Sequence, residues 1–361
     1  MIGETNAHGK SLTDALNELT TFFPDQPVVF PDSAISSVTE VQRNAVRSAD
    51  FVVAATTPGF MYEYNPEAGA FERSTNSRGP VFAESPLTLT RGHLDVGVSY
   101  FYSKLTDLNG DSLTDVFTSL SFPTQDTLFE TTIDTFDLYS QGLSLYATYG
   151  LTEHLDVNLL VPLLLTELHL HGLKALGSGA LAARQPIRED LTKVGFGDII
   201  ARVKYKLPFS LPIDCAALVG LRVPSGDEDN FQGLGDVVMT PVFVAGRTFG
   251  PHEIHANLGV DVNSDDLERS RARYALGFSL RVLNSLSFLV DLVGSSALSD
   301  DHFVARGVPG TVSRTDVVDV ATGIKLGAGD RLVANLGVIV PLTDDGLRGA
   351  AVPFAGFEVT F

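Results

Sequence analysis

The chain contains no tryptophan, one cysteine and three methionines in 361 residues. A lone Cys215 cannot build an intramolecular disulfide framework, so a cystine-stapled fold is excluded. Without tryptophan, a membrane-interface belt would have to be made from the 23 Phe and 9 Tyr. Long apolar runs are missing as well. The only near-continuous one, Leu159–Leu165, falls far short of the roughly 20 residues a spanning helix needs, which excludes a helical membrane protein. Basic residues are scarce: 25 Lys and Arg against 44 Asp and Glu leave a formal net charge of −19 and a pI near 4.7. That balance offers little to neutralise phosphates and excludes nucleic acid as a partner. The start of the chain also lacks a positively charged segment followed by an apolar core, since Met1–Lys10 is polar.

What is present is apolar material in small portions. The chain is 44% hydrophobic and 19% charged, with a mean hydropathy of +0.15. A chain too apolar for water and without spanning helices fits alternating strands, which hide a lipid face in every second residue. From Gly92 onward that alternation is regular. Leu94, Val96, Val98, Tyr100 and Tyr102 alternate with His93, Asp95, Gly97, Ser99 and Phe101. Leu143, Leu145, Ala147 and Tyr149 oppose Gly142, Ser144, Tyr146 and Thr148, and the run Leu155–Leu163 opposes Asp156 and Asn158. Ile199, Ala201, Val203 and Tyr205 then oppose Asp198, Arg202, Lys204 and Lys206. The same pattern recurs over Ile213–Val223, Asp236–Gly246, Glu253–Val262, Arg273–Val282, Leu286–Val293, Asp316–Leu326 and Arg331–Val340.

At the end of the chain, Phe361, Val359, Phe357 and Ala355 share one face, with Thr360, Glu358, Gly356 and Phe354 on the other. A terminal Phe exposed to water is wasted; exposed to lipid, it is not. An edge strand of a soluble sandwich is the alternative for this segment alone. The connections argue against it. Tight ones (Gly150–His154, Pro208–Pro212, Gly250–Pro251, Leu283–Ser285, Gly327–Asp330) alternate with long polar ones (Leu105–Ile133, Gly172–Thr192, Ser225–Gly233, Asn263–Arg271, Ser296–Arg314, Thr343–Arg348). The expected fold is an all-β transmembrane antiparallel barrel of about twelve strands, within a range of twelve to fourteen, over residues 92–361.

Residues 1–91 differ. Ser11–Phe23 reads as a short helix capped by Ser11, and Val38–Ser48 as a second. Phe60–Tyr64 and Ala70–Ser74 flank Asn65–Gly69 as a small hairpin. This segment is too polar to span lipid, and is expected to plug the barrel, extend into the periplasm or add a hairpin to the wall.

The inward face carries both charges. The candidate lumen-lining acids are Asp95, Asp198, Asp236, Glu253 and Glu358, and the candidate bases Arg202, Lys204, Arg222, Arg273, Arg281 and Arg331, with His255 beside them. Phe101 and Tyr146 are the first apolar candidates for holding a solute, and Phe196 and Phe354 could join them. No catalytic set is legible: His169 and His171 lie near a strand end, yet no Gly-x-Ser-x-Gly elbow accompanies them. Asp107–Asp115 departs from a calcium loop, with Ser112 at its sixth position and Thr118 at its twelfth. Neither a metal nor another cofactor is expected, and the reading is non-enzymatic.

The final strand resembles that of bacterial outer-membrane barrels, whose last residue is typically aromatic. Gly195–Phe–Gly–Asp198 echoes Gly233–Leu–Gly–Asp236, which follows Val223–Pro–Ser–Gly–Asp227. Together with Ser77–Arg–Gly–Pro–Val–Phe–Ala–Glu84 and the terminal Phe, these motifs resemble the MetA-pathway phenol-degradation family of outer-membrane transporters over residues 55–361. The resemblance implies a monomeric barrel passing small hydrophobic or aromatic molecules. It implies no set of functional residues. Expected partners are outer-membrane lipid, the barrel-assembly machinery through the strand ending at Phe361, and a small hydrophobic solute. The acidic loops could bind divalent cations that bridge lipopolysaccharide, the alternative being that they are simply solvated. Such a location requires a secretory signal, so the sequence is expected to be a mature or truncated form. The competing expectation is a structural or adhesive surface protein with a sealed lumen.

Overall fold

A computed structural model describes residues 9–19, 32–47, 62–65, 70–73, 79–118, 121–124, 127–176, 183–208, 212–305, 308–329 and 331–361. Their dominant element is one closed antiparallel barrel of twelve strands. In chain order these are β1 (Leu94–Leu105), β2 (Thr127–Thr152), β3 (Leu155–Leu176), β4 (Ile199–Lys206), β5 (Asp214–Val223) and β6 (Val238–Phe249). They continue with β7 (His252–Asn263), β8 (Arg271–Leu283), β9 (Leu286–Ala297), β10 (Asp316–Ala328), β11 (Leu332–Pro341) and β12 (Val352–Thr360). Each pairs with the next, and β12 closes on β1 with Thr360 opposite Asp95 and Phe354 opposite Phe101. Closure leaves no barrel edge with unpaired backbone groups.

Period-two alternation sets the two faces. Val96, Leu145, Leu159, Val203, Leu221, Phe243, Leu258, Leu276, Leu336 and Phe357 all point outward and stay exposed, Leu258 at 65%. This belt surrounds the barrel. Their neighbours Asp95, Asp156, Lys204, Glu253, Asp291, Lys325 and Glu358 turn inward and are buried. Among the described residues no helix is long and apolar enough to cross a membrane. The alternation read from the sequence thus holds through all twelve strands. Gly250 and Gly329, both at positive φ, turn the chain tightly at one end.

At the other end the wall is taller than the sequence suggested. β2 and β3 run 26 and 22 residues, and Ala183–Phe196 pairs with the outer half of β3, above the point where β4 pairs with its inner half. Much of the polar connections Leu105–Ile133 and Gly172–Thr192 is therefore strand. Helix α1 (Leu12–Glu18) lies beside these projecting strands, α2 (Asp32–Arg47) packs against Val308–Val312 and Leu347–Arg348, and α3 (Leu113–Thr118) packs on β2. Ser11 caps α1 in a capping box with Asp14. Leu12, Leu16, Val41, Leu113 and Phe117 bury against Ile133, Phe136, Leu168, Leu170 and Leu191, forming a second core outside the barrel. The hairpin Tyr62–Asn65 with Ala70–Arg73 is present; its tip, Ser77 and Arg78 lie outside the described residues.

Candidate functional site

The barrel interior is divided by residues 79–90, which descend inside it before Gly92 opens β1. This strap has no regular secondary structure, so its buried backbone groups need partners from the wall. They have them. Asp291 Oδ2 accepts the backbone N–H of Val81, Phe82 and Ala83 at 2.9, 2.7 and 3.3 Å. Asn257 both accepts from Glu84 N, at 2.6 Å, and donates to Glu84 O, at 3.0 Å. Lys325 Nζ donates to Pro80 O at 2.8 Å, Lys204 Nζ to Ser85 O at 3.2 Å, and Leu89 N to Asp156 at 3.0 Å. Inward charges that alternation alone would leave in a wet pore are thus used as a socket for one chain segment.

Toward the tight-turn end the lumen is filled. Phe101, Tyr146, Leu160, Leu289 and Phe354 pack with strap residues Val81 and Phe82 into one buried cluster, Phe82 meeting Phe354 edge to face at 5.0 Å. Tyr146 donates to Glu358 at 3.1 Å, and Thr360 donates to Asp95 at 2.6 Å. Glu253 accepts from Ser279 at 3.3 Å and lies 3.4 Å from His255.

Toward the long-loop end the lumen opens. A cavity of about 1070 Å³, including the space that runs out to solvent, lies between the strap and β4–β9. Phe82, Leu218, Val242 and Val293 form its apolar side. Arg202, Arg222 and Arg273 project into it from the wall, joined by Arg47 from α2, Arg269 and Arg271. Arg202 lies 3.3 Å from Glu84, Arg273 3.4 Å from Asp261, Arg222 3.9 Å from Asp198 and Arg269 2.7 Å from Asp236. A second cavity of about 430 Å³ adjoins it and shares Arg47, Asp261, Arg271 and Arg273, adding Arg348 and Gly346 from the β11–β12 connection.

The sequence candidates separate accordingly. Arg202, Arg222 and Arg273 line the main cavity, and Asp198 and Asp236 sit behind it. Asp198 holds the junction between Ala183–Phe196 and β4, accepting from Gly226 N and Leu234 N at 3.1 and 2.8 Å. Asp95, Lys204, Glu253, His255 and Glu358 face inward below the cavity and are buried there. Phe101 and Tyr146 face inward too, but in the packed cluster rather than on the cavity wall. Phe196 is corrected outright: it points outward at 62% exposure, because the chain breaks step at Gly197. Arg331 is exposed in the β10–β11 turn, and Arg281 lies at the tight-turn end of β8, its N–H donating to Pro251 O at 2.8 Å. Arg47, Arg269 and Arg271 were not singled out. The Arg271–Arg273 spacing, two residues on one strand face, was the available signal. His169 and His171 share Asp190 on the outer face of the projecting sheet, at 2.7 and 3.1 Å, and hold its carboxyl below the usual range.

No family model and no curated protein matches this sequence. Solved structures share its fold. An outer-membrane channel from Pseudomonas putida F1 aligns at 13% identity and a TM-score of 0.51, covering 76% of this chain and 97% of that one. The NanC porin aligns at 7% identity and a TM-score of 0.42, over 74% of this chain and 98% of its own. A channel for monoaromatic hydrocarbons, CymD, aligns at 9% and 0.39, over 75% and 89%. The first of these, at 13% identity, speaks for the architecture alone.

Proposed function

We propose that this protein is an outer-membrane channel that passes small hydrophobic or aromatic molecules, with residues 1–91 serving as its plug and cap. The carrying observation is the solvent-connected cavity inside a closed barrel, walled on one side by Phe82, Leu218, Val242 and Val293. A belt of exposed apolar side chains surrounds that barrel, as lipid requires and water penalises. The P. putida structure, whose fold this chain shares, is an outer-membrane channel, and the resemblance to the phenol-degradation family points the same way. In this reading the outward belt meets outer-membrane lipid, the acidic loops meet lipopolysaccharide, and β12 engages the assembly machinery. The inward arginines and carboxylates are positioning and path residues rather than catalysts.

The test is planar-bilayer recording of the purified protein, with liposome swelling in aromatic solutes. The expected result is discrete conductance and solute-dependent swelling. A protein that inserts but passes neither ion nor solute is instead a sealed surface barrel, and the channel reading falls.

A further inference from the structure

Six arginines converge on one cavity of a chain with a net charge of −19. Composition does not account for this, because cations are the scarce charge here. The carboxylates on the same lining are two, Glu84 and Asp261. The pairs that Arg202 and Arg273 make with them, at 3.3 and 3.4 Å, and that of Arg222 with Asp198, at 3.9 Å, exceed the roughly 2.7–2.9 Å of a tight charge-assisted contact. Arg271 is held in place by donating to Ser295 Oγ and O, both at 3.2 Å, and to Thr315 Oγ1 and O at 3.1 and 3.0 Å. Arg269 is already held by carboxylates, its Nη1 donating to Asp236 at 2.7 Å and its Nε lying 3.4 Å from Asp266 and 3.7 Å from Asp301.

The arginines also form a path. Arg47, Arg271 and Arg273 belong to both cavities, so the basic lining continues from Arg348 near the β11–β12 connection down to Arg202 and Arg222 beside the strap. Phe82, Leu218, Val242 and Val293 share the same lining. The cavity thus offers cationic and hydrocarbon surface to one occupant.

We infer that this cavity selects small organic anions, an aromatic body bearing a carboxylate, over neutral molecules of the same shape. The arginines take the carboxylate as forked donors, and the Phe82–Leu218–Val293 side takes the ring. The inference rests on the channel reading and narrows its substrate class.

The experiment uses the full chain in detergent, with benzoate as probe, benzamide as its neutral isostere and acetate as the anion without a ring. Isothermal titration measures affinity, and bilayer recording measures conduction separately. Benzoate is expected to bind at least about tenfold more tightly than benzamide and than acetate, a step of about one decade per lost ion contact or ring contact. Arg47→Gln, in α2 rather than in the wall, and Arg273→Gln should each weaken benzoate severalfold and benzamide less. Retained heat-modifiable migration on gels shows that each variant is still folded. Equal affinity for benzoate and benzamide, or no binding of benzoate, overturns the inference even if the protein conducts. Absent conductance with intact benzoate selectivity overturns the channel reading and leaves an anion-binding barrel.

Discussion

At the residue scale the lumen is organised by unlike pairs. Three large inward aromatics each lie over a glycine on the neighbouring strand: Tyr146 over Gly97, Phe101 over Gly142 and Phe354 over Gly337. A Cβ on Gly142 would stand 2.3 Å from the Phe101 ring. Gly142→Val should therefore destabilise the barrel by about 1–3 kcal/mol through overpacking, measured by urea unfolding in lipid or detergent. An unchanged midpoint would mean that the ring has somewhere else to go. Asp291 is a second test, because one carboxylate oxygen holds three strap amides. Asp291→Ala leaves those donors without their acceptor and should raise bilayer conductance by loosening the strap, while Asp291→Asn, which keeps an acceptor, should raise it less. The pH response belongs to Asp190. Its folded pKa is lowered by His169 and His171, so its contribution is present above the ordinary Asp range near about 4 and is lost as pH falls through the lowered value. The proteolytic protection of 183–196 that wild type enjoys over Asp190→Asn should shrink in that window. A difference that stays constant down to pH 2 would refute the assignment. Inward and outward parity was legible along most of the strands, but not at Phe196, which points outward because the chain breaks step at Gly197. Which inward residues meet a cavity was not legible, since that depends on where the strap lies.

At the scale of elements, the sequence revealed every barrel strand but not how far some of them run. Period-two alternation is clean where one face meets an apolar medium and the other a polar interior. Above the belt that contrast weakens. Within β2 a register shift between Ile133 and Thr135 puts Ile133, Phe136 and Leu138 on the same core, so the apolar residues no longer fall on one parity. Across Ala183–Phe196 the core-facing Ile187 and Leu191 are separated by Glu189, which pairs with Lys10 at 2.7 Å. Both stretches therefore read as polar loops. Helix α1 was legible from its cap and spacing, and α2 only from Val38 onward although it begins at Asp32; where each one packs was not legible. The belt itself makes a directional prediction. Leu258→Arg, on the outward face of β7 at 65% exposure, should cost about 2–4 kcal/mol of stability in a bilayer, as an arginine near midplane does. In a sheet that met water the same substitution would be nearly silent, so refolding into vesicles against urea decides between the two environments.

At the scale of the whole molecule, the closed wall and the strap are separable in principle and interdependent in charge. The wall hydrogen bonds are complete around all twelve strands without residues 79–90, so the barrel has what it needs to close alone. The strap fills the half of the lumen that β1, β2 and β12 line with Phe101, Tyr146 and Phe354, and it also occupies Asp156, Lys204, Asn257, Asp291 and Lys325. Nothing in the sequence of 79–90 announced this, because an irregular segment satisfied by distant side chains has no period to read. Removing residues 1–91 takes away the strap and the helices α1 and α2 together. Water then replaces the strap around those five side chains, which lowers stability but leaves each charge solvated rather than stranded. The expected outcome is a barrel that still inserts and still shows heat-modifiable migration, with conductance severalfold above the full chain and selectivity less dependent on Arg47. If the truncated barrel conducts no better than the intact protein, residues 1–91 are not what narrows the path. The constriction would then belong to the wall itself, with Arg202, Arg222 and Arg273 as the side chains to shorten next.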